Sequence, residues 1–123
     1  MPMIGDRVLD NGLTVLDTEA TDLYICSQEP ATFTEASSTY ALGNKDTPTI
    51  GAPQDRGAGG REVVVSAITD GNVTATGTAS HYAITDDGSS RLLGAGTLSS
   101  SQAVTSGNTF TLTQFAIGIP DPA

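Results

Sequence analysis

Two side chains have the chemistry of a nucleophilic site, and each occurs once in the chain. His81 is the only imidazole, so any Ser-His-Asp arrangement must use it, yet no Gly-x-Ser-x-Gly motif accompanies it. Cys26 is the only thiol and lies between Ile25 and Ser27 in an apolar stretch, where free cysteines are usually buried and inert. These surroundings predict a structural or solvent-facing histidine and a core thiol.

The carboxylates suggest metal binding or acid–base chemistry only weakly. Asp86 and Asp87 precede a glycine, but the segment lacks the alternating acids and the glutamate of an EF-hand loop, so we expect a solvated turn. Asp6, Asp10 and Asp17 are scattered and have no histidine partners. A glycosidase would need a carboxylate pair together with rings that stack on sugars, and this chain has no tryptophan.

Two further motifs resemble functional motifs only superficially. The sequence Gly57-Ala58-Gly59-Gly60-Arg61 is glycine-rich like a phosphate loop, but no Lys-Ser or Lys-Thr follows it and it precedes a predicted strand. Asn72-Val73-Thr74 matches a glycosylation sequon, a motif short enough to arise by chance. We therefore expect no catalytic, cofactor-binding or metal-binding residues, and a protein that is not an enzyme.

Charge excludes several partners. The 123 residues carry 14 acidic and 5 basic side chains, a formal net charge of −9. Such a chain is repelled by nucleic-acid phosphates and by anionic membrane surfaces. Residues 1–7 lack the basic start and apolar stretch of a secretory signal, and a single cysteine excludes an intramolecular disulfide. The sequence predicts synthesis in a reducing cytoplasm without a signal peptide.

The elements that position these residues are predicted to be mostly strands. The 18 Thr, 11 Ser and 14 Gly favour strands and turns, and the length fits one domain over residues 1–123. In the first half we expect an N-terminal arm over 1–12, short strands at 13–16 and 22–27, and a long irregular loop over 31–60. Within that loop, residues 36–42 are compatible with a helical turn or with a short edge strand.

The main strand region is predicted over 61–119. Asp70-Gly71 predicts a hairpin turn, residues 73–84 alternate as one long strand with a bulge or a change of sheet, and 86–90 and 106–108 are turns. Gly94 and Gly96 should interrupt the strand that starts at 91, and a phase shift at Gln114 indicates a bulge in the final strand. Seven or eight short strands with frequent turns describe an antiparallel sandwich or barrel, and we predict an all-β, Ig-like or jelly-roll-like β-sandwich.

Several segments resemble small β-rich structural proteins of tailed bacteriophages and prophages. They comprise residues 23–30, 77–84, 86–88, 92–98 and 104–112, together 35 of the 123 residues. The resemblance implies a virion component without catalytic residues, self-associating and bound to the major capsid protein or other virion proteins. A capsid decoration protein is the favoured role, because the chain is small and acidic and has no coiled-coil stalk. The alternative is a tail-tip or tail-fibre module that binds a host receptor or carbohydrate through residues 43–60 and 85–91.

Overall fold

The computed structural model describes residues 6–57 and 59–119, which form one α-helix and nine strands. The helix, α1, spans Asp6–Glu19. The strands are β1 (Asp22–Cys26), β2 (Ala41–Asp46), β3 (Gln54–Asp55), β4 (Arg61–Val65), β5 (Ile68–Val73), β6 (Gly77–Asp86), β7 (Arg91–Val104), β8 (Thr109–Leu112) and β9 (Phe115–Ile119). The chain is therefore mostly β, as predicted.

The strands form two antiparallel sheets. The larger sheet is curled and has the order β7-β6-β1-β2-β5-β8, and the smaller has the order β3-β4-β9. Consecutive strands change sheet three times, from β2 to β3, from β4 to β5 and from β8 to β9. An isolated bridge between Ile50 and Val65 adds one further contact beside the smaller sheet.

The main core joins both sheets and α1. Leu13 and Leu16 of the helix are buried in one cluster with Leu23, Val63 and Phe110. A second, smaller cluster contains Cys26, Ala36 and Ala83 and is covered by Tyr24 and Tyr40. Because β1 and β6 contribute to both clusters, these central strands are buried on both faces, and Ala83, Ile84 and Thr85 are all inaccessible to solvent.

The prediction of a strand at 13–16 is wrong. Leu13 and Leu16 are three residues apart, so a strand would direct them to opposite faces, whereas a helix directs both towards the core. The Asp10–Gly12 turn signal lies inside α1, and the predicted arm is helical from residue 6 onward. Residues 1–5 of that arm lie outside the described part. The fold is thus not purely β.

The predicted loop over 31–60 is largely structured. Residues 36–39 belong to a π-helical turn over Glu35–Thr39, which is the first alternative predicted for 36–42, and β2 begins two residues later at Ala41. Moreover, β2 is an interior strand and not an edge. Gly43 allows this position, because a Cβ there would overlap the carbonyl oxygen of Asn72 on β5.

Three boundaries in the second half also differ. The Asp70-Gly71 segment lies within β5 and not in a hairpin turn, since β4 and β5 belong to different sheets. The strand β7 continues through Gly94 and Gly96, and an added Cβ at Gly96 would lie 2.8 Å from the Tyr82 ring. The phase shift at Gln114 marks the crossing from β8 to β9 instead of a bulge.

Other predictions are confirmed. The strand predicted over 22–27 is β1, and the turns at 86–90 and 106–108 connect β6 to β7 and β7 to β8. Gly107 has a φ of 91°, the conformation for which a turn favours glycine. By contrast, the prediction of one continuous strand over residues 73–84 is wrong, because β5 ends at Val73 and β6 begins at Gly77. Both strands belong to the six-stranded sheet, and the predicted bulge corresponds to a register shift between Ala79 and His81.

Candidate functional site

A cavity of about 670 Å³ opens between the two edges of the curled sheet. It is lined by residues 67–69, 97–100 and 111–116 together with Tyr82 and Gln102. At one end the edges are bridged by a side chain, since Gln102 Nε2 donates a hydrogen bond of 2.9 Å to the Thr111 carbonyl on β8. We call this cavity the edge groove.

The floor of the edge groove is apolar. The rings of Tyr82 and Phe115 have centroids 4.6 Å apart and are tilted by 45°. Ile68 and Leu112 are buried beside them. Burial also raises the pKa of Tyr82 above its ordinary value, so the phenol stays neutral.

The β7 side of the groove is a wide bulge. Strand register passes from Ala79↔Gln102 to His81↔Thr97, so residues 98–101 have no partner on β6. Leu98 is half-buried, and the three serines that follow it are exposed. Their backbone groups and hydroxyls therefore form a polar rim above the apolar floor.

The edge groove carries no charge. None of its lining residues is acidic or basic, and no charged residue occurs between Arg91 and Asp121. On a chain with a net charge of −9, this is a neutral face. Hydroxyl, amide and phenol groups can orient a bound molecule by hydrogen bonds, but none of them is a general base at neutral pH.

A polar cluster of Asp22, Asn44 and Asp46 lies at the start of β1. Asn44 Nδ2 donates to Asp22 Oδ2 at 3.1 Å and to Asp46 Oδ1 at 2.9 Å. Burial, followed by the hydrogen bond with Asp46, raises the pKa of Asp22 to about 6. Asp22 is 9% exposed, so ionising it places a poorly solvated charge beside another carboxylate.

The prediction that Asp86 and Asp87 form a solvated turn is wrong for Asp87. Its two carboxylate oxygens accept hydrogen bonds from Tyr24 Oη at 2.8 Å and Thr85 Oγ1 at 2.6 Å. Among the described residues there is no group of three or more His, Cys, Asp or Glu side chains arranged to hold a metal ion. Asp87 instead ties the β6–β7 turn to β1.

His81 lies beside a serine but does not activate it. Ser80 Oγ is 2.8 Å from His81 Nδ1 and donates its proton to the Ser27 carbonyl at 3.0 Å. In the tautomer in which both hydrogen bonds form, His81 Nδ1–H donates to the serine oxygen, which is the reverse of a general base. Cys26 is buried, and burial raises the pKa of its thiol to about 11.

The remaining sequence candidates lie apart from the groove. The described residues of the glycine-rich segment, 57 and 59–61, precede or begin β4 and no helix, and Arg61 pairs with Asp55 at 2.6 Å. Asp17 is exposed on α1, whereas the side chains of Asp6 and Asp10 lie outside the described part. Asn72 is exposed on β5.

The edge groove itself was not predicted from the sequence. The signal for it was the uncharged run after Arg91, which includes most of the lining residues. Comparison with protein-family models, curated proteins and solved structures gives no match for this chain. In the described part, no helix has the length and hydropathy needed to cross a membrane.

Proposed function

We propose that this protein is a non-enzymatic structural component of a tailed-phage virion, a decoration protein bound to the outer surface of the major capsid protein. The observation that carries the proposal is the neutral edge groove on a strongly acidic chain. An apolar floor with an uncharged polar rim suits attachment to another protein, because interface centres are depleted of charge.

The arrangement of the sheets is compatible with this role. We propose that the six-stranded and three-stranded sheets are the two layers of a distorted β-sandwich, with α1 packed on the shared core. A domain of 123 residues has a modest core, so binding to neighbouring copies and capsid subunits would add stability in the particle.

Purified virions provide the test. Quantitative mass spectrometry should find many copies of the chain for each particle, and particles without it should rupture at lower temperature. The substitution Leu98→Glu, which places a charge in the edge groove, should reduce incorporation. Thr18→Glu, on the exposed face of α1, is the matched control and should be incorporated normally. Absence of the chain from purified virions would refute the proposal.

A tail-tip or fibre module that binds a host carbohydrate is the alternative. Two aromatic rings on the floor and hydroxyl and amide groups on the rim are also suited to a sugar. This alternative predicts a few copies for each particle, binding of the isolated protein on a glycan array, and poor adsorption of a deletion phage. Normal adsorption of that phage would exclude it.

A further inference from the structure

We infer that the edge groove is an acceptor site for a β-strand. Its occupant is an extended, uncharged segment of a different protein, apolar at alternate positions, which pairs with the free edge of β8. The inference deepens the proposed function, on which it rests, by specifying how the partner protein is held.

The first argument comes from the backbone of β8. Among the described residues this strand pairs only with β5, so its other edge is free. The Thr111 carbonyl points into the groove, because it accepts the hydrogen bond from Gln102. In an antiparallel strand the N–H and C=O of one residue point to the same side, so the Thr111 N–H is also directed there.

The second argument comes from Gln102. Its side-chain amide donates to a β8 carbonyl, the same bond that the backbone N–H of an added strand would make. Paired strands lie ~4.8 Å apart, so a gap bridged by a long side chain is wider than one strand spacing. Gln102 thus occupies one hydrogen-bonding position of the site.

The third argument comes from the two surfaces of the groove. Tyr82 and Phe115 form an apolar floor, whereas the serines of the β7 bulge face solvent. Because strand side chains alternate between faces, the occupant should be apolar at every second residue. Residues 97–100 and 102 line the groove on the β7 side, and β8 has four residues, so the paired part of the occupant is about four residues long.

The edge of β8 also lacks the usual protection against strand addition. Natural edge strands commonly carry lysine, proline or inward-pointing charges, and Thr109–Leu112 has none of these. The neutral lining indicates an uncharged occupant. A second copy of this chain also has a net charge of −9, and the repulsion between two such chains favours a different protein.

The experiment uses a display library of random octapeptides, selected on the full-length protein and on Thr111→Pro. The proline removes the N–H directed into the groove, at an edge position where a strand tolerates it. Thr111→Val is the matched control, because it keeps the backbone donor. Wild type and Thr111→Val should enrich uncharged peptides with apolar residues at alternate positions, and Thr111→Pro should not.

One enriched peptide is then synthesised with an N-methyl group at each backbone position in turn. Methylation should weaken binding about tenfold at every second residue and leave the intervening positions unchanged, because only alternate N–H groups face β8. This result does not depend on the folding of any protein variant. In addition, Gln102→Ala should bind the same peptide about fivefold more tightly, since the peptide no longer displaces a side chain.

Three results would overturn the inference: no enriched peptide, an N-methyl profile without period two, or concentration-dependent dimerisation that Thr111→Pro abolishes. Glycan binding that competes with the selected peptide and is lost in Leu98→Glu would likewise assign the groove to a sugar. The proposed function fails separately, through absence of the chain from virions. A virion protein that selects no peptide would keep its role and attach through another surface.

Discussion

Asp22 offers a sharp test of the structure, because its carboxyl group is buried next to another acid. The substitution Asp22→Asn mimics the protonated acid in shape and charge. The asparagine oxygen can still accept the hydrogen bond from Asn44, and its amide can donate to Asp46. The variant should therefore keep the local structure and remove the cost of ionisation.

The magnitude follows from the raised pKa. Moving the pKa of Asp22 from 3.8 to about 6 corresponds to about 3 kcal/mol, at about 1.36 kcal/mol for each tenfold change in proton affinity. The folded state binds the proton more tightly than the unfolded state, so stability is greatest below pH 3.8 and decreases as the pH rises to about 6. Above that pH the protein has lost all of the stability that the protonated Asp22 contributes.

The assay is urea denaturation of wild type and Asp22→Asn between pH 3.5 and 8. The difference in the free energy of unfolding should be near zero at the acidic end and rise to about 3 kcal/mol in favour of the variant above pH 6. For a domain of this length that equals roughly 12 °C in Tm. Asp17→Asn, at an exposed position, should follow the wild-type curve. A variant less stable than wild type at pH 8, or a difference that does not change with pH, would refute the reasoning.

Three further predictions concern the core. Gly71→Ala should destabilise the protein by about 1–3 kcal/mol in chemical denaturation, because the new Cβ would overlap the buried Phe110 ring. Leu13→Ala should cost about 2–5 kcal/mol, because this helix residue is 2% exposed in the main core. The Cys26 thiol, buried and with its pKa raised to about 11, should react with a disulfide reagent at pH 8 only after denaturant is added.

The two substitutions have matched controls. Gly57→Ala meets no atom within 4 Å and should change stability by less than about 0.5 kcal/mol. Thr18→Ala lies on the exposed side of α1 and should be similarly neutral. Equal losses for Leu13→Ala and Thr18→Ala would show that the helix does not pack as described, and rapid labelling of the native thiol would show that Cys26 is accessible.

The sequence predicted the β content and several strands, but not where the chain changes sheet. Alternation along a strand reports which face is buried, and a bulge and a crossing to another sheet both shift that phase by one residue. The phase shift at Gln114 therefore did not distinguish the two. Similarly, Asp70-Gly71 has the composition of a hairpin turn, yet the tertiary position of β5 overrides that preference.

The helix and the edge groove were missed for different reasons. The Asp10–Gly12 segment has the composition of a turn, and this local signal conceals the helical spacing of Leu13 and Leu16. In the structure the packing of both leucines in the core favours the helix, because intrinsic propensity is weaker than tertiary packing. The groove draws on segments far apart in the sequence, and each contributes ordinary threonine, serine and small apolar residues. No local motif describes such a surface.

The strand order has a consequence for how the chain folds during synthesis. Strand β1 pairs with β6, so Leu23 cannot pair with Ile84 until Ile84 has left the ribosome. The smaller sheet needs β9, the last described strand, before Val63 and Val65 of β4 gain their partners Ile117 and Phe115. Such long separations in sequence make folding slow. A nascent chain therefore exposes unpaired apolar strands until β9 has been made, and we expect chaperones to bind it at this stage.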